Sequence, residues 1–234
     1  MRKLSIWLIL WGLLSFQSAH GQFKEAPPQN LPHFDDVFWH WGYYFGVNFF
    51  DFKIDYKTPF QYIRTVDNYG FNVGLISDFR LGRMWNLRLE PGIYTMERTL
   101  YFHPEKIEDP QDRIRRVKSN YLSVPLYLKF NALRNGNMRP YITGGLSYNY
   151  NLTAFERSVN DNSAGRFRMK RQVVMAHVGV GIEMYMYYFK FTPSIRGVFA
   201  LTNELVPDND PKSPWTGNLE SVKTRGVYIV FTFE

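Results

Sequence analysis

Apolar and polar residues alternate with a period of two along most of this chain, and that period belongs to strands with two unlike faces. The clearest stretch sets Val174, Ala176, Val178, Val180, Ile182 and Met184 on one parity against His177, Gly179, Gly181 and Glu183 on the other. Leu122, Val124, Leu126, Leu128 and Phe130 alternate in the same way with Tyr121, Ser123, Tyr127 and Lys129. Ile142, Leu146, Tyr148 and Leu152 oppose Tyr141, Thr143, Ser147 and Asn149. Two further runs repeat the pattern: Phe189, Phe191, Ile195 and Phe199 against Lys190, Thr192, Ser194 and Arg196, and Val227, Ile229, Phe231 and Phe233 against Thr224, Tyr228 and Thr232. Earlier in the chain the period predicts strands from His40 to about Tyr56, from Gly70 to Leu81 and from Asn86 to about Phe102. Parity drifts near Phe49 and Phe50, which predicts a bulge. Pro91, Pro125 and Pro193 fall inside strands, and their missing donors predict ladder interruptions.

The connections carry a second signal. Segments 57–69, 103–117, 155–171 and 202–222 are long and polar, whereas Gly82 to Trp85, Asn131 to Asn137 and Met186 to Tyr187 are short. Long and short strictly alternate, as in outer-membrane barrels with short periplasmic turns, long external loops and both termini periplasmic. A soluble β-sandwich explains the parity equally well, but not the loop order. Nor does it explain aromatics near strand ends, namely Trp39, Trp41, Tyr43, Tyr44, Trp85, Tyr185, Tyr187 and Tyr188, which suit a membrane–water boundary. The expected fold is all-β: a transmembrane, antiparallel, up-and-down barrel of eight strands over residues 40–234, in the bacterial outer membrane.

The N-terminus adds a targeting segment. Arg2 and Lys3 precede an apolar run from Leu4 to Phe16, and Ala19-His20-Gly21 offers small residues for cleavage, so 1–21 reads as a signal peptide and 22–39 as a periplasmic segment. Without Arg2 and Lys3 the 28 basic residues fall to 26 against 21 acidic ones, a net charge of +5. The basic residues are scattered, so a nucleic-acid stripe is not indicated. No cysteine is present, which excludes disulfides, thiolate metal sites and thiol nucleophiles. Aromatics make up 18% of residues while the mean hydropathy is negative, a mixture that a lipid-facing, polar-lined barrel produces and a membrane helix bundle does not.

Eight strands enclose a lumen just wide enough for their own side chains. The inward parity carries Asn72, Asp78, Arg80, Arg88, Glu90, Glu183, Lys190 and Arg196. Charges of both signs held away from water must pair, so these predict a structural polar network and no open pore. Chemistry is harder to find. His177 and Glu183 share a face but lie about 20 Å apart along a strand, and Ser194 is the serine that could approach across strands. That does not amount to a nucleophile with base and orienting acid. His20, His33, His40, His103 and His177 show no metal-ligand spacing, so no catalytic, metal or cofactor residues are expected. The proline-rich segment from Gln22 to Trp39 cannot be helical through its first half. Its apolar members Leu31, Pro32, Phe34, Phe38 and Trp39, with Asp35, are expected to plug the barrel mouth or bind a partner.

Five runs together resemble one family. Gln29-Asn-Leu-Pro-His-Phe-Asp-Asp36, followed by His40-Trp-Gly-Tyr-Tyr-Phe-Gly-Val-Asn48, looks like the start of the PorT family, called SprT in gliding bacteria. Gly70-Phe-Asn-Val-Gly-Leu-Ile-Ser-Asp-Phe-Arg-Leu-Gly82, Asn86-Leu-Arg-Leu-Glu-Pro-Gly92 and Tyr121-Leu-Ser-Val-Pro-Leu-Tyr-Leu-Lys129 continue the likeness over the mature chain. The resemblance implies an outer-membrane component of the type IX secretion system, which exports proteins with C-terminal sorting domains and serves gliding motility in gliding species. Its implied partners are other secretion components in the outer membrane or periplasm, together with outer-membrane lipid; no catalytic motif is carried over. One departure is the end, where Glu234 follows Phe233 although barrels of this type commonly finish on an aromatic residue. The expected role is accessory and structural. A stand-alone barrel binding lipid or an external ligand through its loops is the second reading, and a lipid-modifying barrel enzyme the third.

Overall fold

The computed structural model describes residues 28–58, 63–102, 107, 109, 112–156 and 167–234. The signal peptide over 1–21, the adjoining 22–27, and His103 lie outside them. Ten strand segments follow in order: β1 Trp39–Tyr56, β2 Arg64–Asp67, β3 Tyr69–Arg80, β4 Trp85–Leu89, β5 Gly92–Tyr101, β6 Ile114–Asn131, β7 Met138–Asn151, β8 Gln172–Tyr185, β9 Lys190–Ala200 and β10 Leu219–Phe233. All pairings are antiparallel. β1 pairs with β10 on one side and β3 on the other, so the sheet closes on itself. Short β2 extends the β3 side against β5, and β4 with β5 forms one interrupted strand, which gives a ring of eight.

The interruption falls at Glu90 and Pro91. Register is the same on both sides of it, with Leu89 opposite Leu126 and Gly92 opposite Ser123. Pro125 faces the same gap, and its carbonyl takes the Glu90 amide at 3.1 Å. The missing donor of Pro125 therefore falls against Glu90 in the gap, while Pro91 turns its edge to β3, where its carbonyl accepts from the Leu75 amide at 2.9 Å. Pro193 has a similar effect: β8 and β9 pair at Gly181–Ser194 and resume at Met184–Phe191. The bulge expected at Phe49 and Phe50 does not form. β1 keeps one register against β10 from Tyr43 to Asp55 and shifts only at Asp55–Tyr56. The apparent drift has another cause: Phe50 and Phe52 point inward and are buried in the lumen, while Phe49 points outward.

The outer face is a continuous apolar band. On β1 it runs Trp41, Tyr43, Phe45, Val47, Phe49 and then turns polar at Asp51, Lys53 and Asp55. Trp39 to Phe49 is about 33 Å of strand, or about 25 Å of height at a barrel's usual tilt, which matches the apolar band of an outer-membrane barrel. β6 repeats the change, from Phe130 to Leu122 apolar and then Lys118 and Arg116. The strands therefore continue past the band at the end bearing the long loops. Tyr44 and Tyr185 leave the predicted aromatic belt, since both point into the lumen and are buried, whereas Trp39, Trp41, Tyr43, Trp85, Tyr187 and Tyr188 stay exposed at the short-turn end.

The lumen is layered rather than uniformly polar. Charged side chains fill the half near the short turns. A middle layer holds Tyr44, Tyr94, Tyr228 and Phe50 with Met96 and Met175. Beyond it an apolar plug of Phe52, Leu100, Val117, Phe167, Met169, Leu205 and Leu219 closes the loop end. Loop residues Phe167, Met169 and Leu205 pack onto strand residues there, held by a bridge between Met169 and Leu205 and by Glu204, whose carboxylate accepts from the Thr224 amide at 2.7 Å and the Tyr121 hydroxyl at 2.8 Å.

Candidate functional site

The charged layer is the chemically distinctive part of the molecule, and strand parity places its members. Asp78 on β3, Arg88 on β4, Lys129 on β6, Arg139 on β7, Glu183 on β8, Lys190 and Arg196 on β9 all occupy inward positions near the short turns. Asp78 accepts from Arg88 at 2.8 Å, Lys129 at 3.0 Å and Asn86 at 2.5 Å. Glu90, in the gap between β4 and β5, is gripped by both terminal nitrogens of Arg196, at 2.5 and 3.1 Å. Glu183 collects Lys129 at 2.6 Å, Arg139 at 2.5 Å and Lys190 at 3.2 Å. Glu234 turns its carboxylate into the same layer, where it meets Lys190 at 2.5 Å and also Arg88.

Six of the seven sequence-selected charges therefore form pairs with one another or share a partner: Asp78, Arg88, Glu90, Glu183, Lys190 and Arg196. Arg80 stands apart. It is half-exposed at the end of β3, and its Nε points to the Gly82 carbonyl of its own turn at 3.3 Å. Asn72 is buried but higher in the barrel, bonded to Asn48. Parity alone also places Lys129 and Arg139 inward, two members that the reading of charges passed over.

The N-terminal segment completes the layer. Phe34–Asp36 forms a single 3-10 turn that sets Phe34 inside the mouth, stacked on His40 at 4.0 Å between centroids and edge-on to Tyr185. Asp35 then reaches Arg139 at 3.1 Å, the Tyr185 hydroxyl at 2.9 Å and Arg134 at 3.7 Å. With Asp35 included, five acids (Asp35, Asp78, Glu90, Glu183, Glu234) face five buried bases (Arg88, Lys129, Arg139, Lys190, Arg196), and Arg134 adds a sixth base at the mouth that shares Asp35. A near-balanced set is what a low-dielectric interior demands. The rest of the sequence-selected segment divides. Leu31 is partly covered, Pro32 is exposed, and Phe38 and Trp39 face outward on the barrel wall, where Phe38 packs on Phe79 and the Trp39 indole donates to Ser77 Oγ at 2.7 Å.

His177 does find a serine, but it is Ser147 rather than Ser194. Its Nε2 lies 2.6 Å from Ser147 Oγ and its Nδ1 3.3 Å from the Tyr127 hydroxyl. Ser147 also accepts from Asn149, and all of these side chains are buried, so the histidine is a satisfied member of the wall. Ser194 instead donates to the Val230 carbonyl. Among the described residues, no group of three or more histidines, cysteines or carboxylates is arranged to hold a metal ion.

Several solved outer-membrane proteins are similar to this chain at low sequence identity. Neisserial surface protein A is 8% identical, covering 81% of this chain and 95% of its own, with a TM-score of 0.41. The outer membrane protein OprG from Pseudomonas aeruginosa is 14% identical over 82% of this chain and 94% of its own, with a TM-score of 0.41. Ail, the attachment invasion locus protein of Yersinia pestis, solved with the heparin analogue sucrose octasulfate, is 14% identical over 84% of this chain and 98% of its own, again with a TM-score of 0.41. No curated protein sequence matches this chain. A family model described as the outer membrane protein beta-barrel domain matches residues 24–206, and the chain, a small bacterial outer-membrane barrel, belongs to that family.

Proposed function

We propose that this barrel is an accessory, structural component of the type IX protein secretion system, acting through protein contacts and conducting nothing through its lumen. In this reading the short turns and both ends of the chain face the periplasm, the long loops face outward, and the partners are other secretion components together with outer-membrane lipid. The observation that carries the non-conducting role is the filled lumen, with a near-balanced charged layer at one end and an apolar plug of Phe52, Leu100, Phe167 and Leu205 at the other. The secretion assignment rests on the family resemblance of the Leu31-Pro-His-Phe-Asp35 and Ser77-Asp-Phe-Arg-Leu-Gly82 runs.

Deletion of the gene is expected to abolish export of proteins with C-terminal sorting domains, measured as their loss from the culture medium and retention in the periplasm. Normal export in the deletion strain would remove the secretion reading.

A further inference from the structure

The mouth at the short-turn end is built like a peptide receptor that its own chain occupies. Arg134, on the turn between β6 and β7, is held in place by its own loop, with Nε on the Gly136 carbonyl at 2.9 Å and its guanidinium 3.6 Å over the Tyr185 ring. Its two terminal nitrogens reach the backbone carbonyls of Asn30 and Leu31. Asn137 adds two more main-chain contacts, accepting from the Asn30 amide at 2.8 Å and donating to the Pro28 carbonyl at 3.1 Å. Four of these contacts are therefore to main chain, which any extended segment can supply. The side-chain contacts that select are Asp35 on Arg139 and Tyr185, Asn30 on the Tyr185 carbonyl at 3.0 Å, and Phe34 on His40.

The occupant is attached mainly by polar contacts, with the Phe34 ring stacked on His40. It makes no strand ladder with the barrel; Pro32, His33, Asp36 and Val37 are exposed. Leu31 sits at φ 49°, in the left-handed region that a leucine disfavours and a glycine or asparagine accepts. Few apolar contacts, exposed backbone and local strain place a segment at the low-stability end of a structure. Yet leaving the mouth empty would strip Arg134 and Arg139 of a carboxylate, so departure calls for another anion to arrive.

We propose that this mouth is an exchange site: a protein partner inserts an extended, carboxylate-bearing peptide where Asn30–Asp35 now lies, and the chain's own segment is displaced. This rests on the reading that the barrel acts by protein contact, and it adds the chemistry of that contact. A partner segment with glycine or asparagine at the Leu31 position would fit with less strain than the native occupant.

Two measurements test it. First, a barrel whose residues 28–36 are replaced by an equally long Gly-Ser linker, shown folded by its shifted mobility on an unheated gel, is titrated in detergent with a labelled peptide of the sequence 28–38. Saturable binding is expected, at least tenfold weaker for the Asp35→Asn peptide and for the Arg134→Ala barrel, and tighter for the Leu31→Gly peptide. Binding no better than a scrambled peptide, or binding indifferent to Asp35→Asn and Arg134→Ala, would overturn the proposal. Second, the chain has no natural cysteine, so Asn30→Cys with Asn137→Cys can lock the segment in the oxidising periplasm. The locked strain is expected to lose export of sorting-domain cargo and to regain it when the disulfide is reduced with dithiothreitol, under which the cysteine-free parent strain exports unchanged. Full export with the disulfide formed would show the segment to be a permanent plug and end the exchange idea, leaving the secretion reading intact. Normal export in the deletion strain would instead end the secretion reading, and the peptide titration would still decide whether the mouth is a receptor.

Discussion

Replacing Glu183 by alanine is expected to cost the barrel about 3–5 kcal/mol, the range for removing one partner of a buried charge set. Glu183 is the acceptor shared by Lys129, Arg139 and Lys190, all buried. Its loss leaves Lys129 to Asp78, Lys190 to Glu234 and Arg139 to Asp35, each buried base with one acid partner fewer. The urea midpoint of the refolded barrel in lipid vesicles reads the change, and a loss under about 1 kcal/mol would show that the layer does not depend on pairing. A second variant separates charge from packing. Glu183→Met with Lys129→Met removes one of each sign, leaves Lys190 on Glu234 and Arg139 on Asp35, and keeps the volume. It is expected to be more stable than Glu183→Ala, because well-packed apolar groups replace buried ion pairs at little cost. For contrast, Asp51→Ala breaks an exposed pair with Arg225 and should change stability by less than about 1 kcal/mol.

Strand number, strand order and the outward faces could be read from the sequence because a period of two has only one geometric meaning once loop lengths alternate with it. Leu122 to Phe130 and Val174 to Met184 point outward as their parity demands. Reading failed where the lumen departs from a simple polar filling. Phe50 and Phe52 look like outward residues that slipped register, and in fact they pack in the middle and upper lumen. Tyr44 and Tyr185 look like belt residues, yet they are inward aromatics; the Tyr44 hydroxyl meets Tyr94 at 3.1 Å and Tyr185 meets Asp35. Parity would have caught both, since Tyr44 alternates with Tyr43 and Phe45, but aromatic enrichment near strand ends was the louder signal. Long polar loops hid other members. Glu204 belongs by sequence to a solvated loop, and only the fold of that loop over the barrel end brings its carboxylate to Tyr121 and Thr224. Asp35 is similarly local in sequence and distant in partner, four residues ahead of β1 but bonded to Arg139 on β7. No periodic argument reaches a contact made by an irregular segment.

The membrane band itself is open to a single substitution. Leu126 lies at the middle of the apolar stretch of β6, opposite Leu146 at the middle of that of β7, and its side chain is 47% exposed on the outer wall. On a soluble protein an arginine at so exposed a position would change stability by no more than about 0.5 kcal/mol. At the centre of hydrocarbon the guanidinium has neither water nor an anion, and Leu126→Arg is expected to cost about 2–4 kcal/mol in lipid vesicles. Arg116 provides the internal control, because it lies on the same strand and the same parity but beyond the band. Arg116→Leu should therefore be nearly neutral, within about 0.5 kcal/mol. Equal small effects at both positions would mean that the outer face meets water along its whole length, and the layered lumen would then need a different reason to be closed at both ends. A large cost at Leu126 alone fixes the depth of the hydrocarbon boundary between residues 116 and 126, and with it the height at which the strands emerge to carry the loop-end plug.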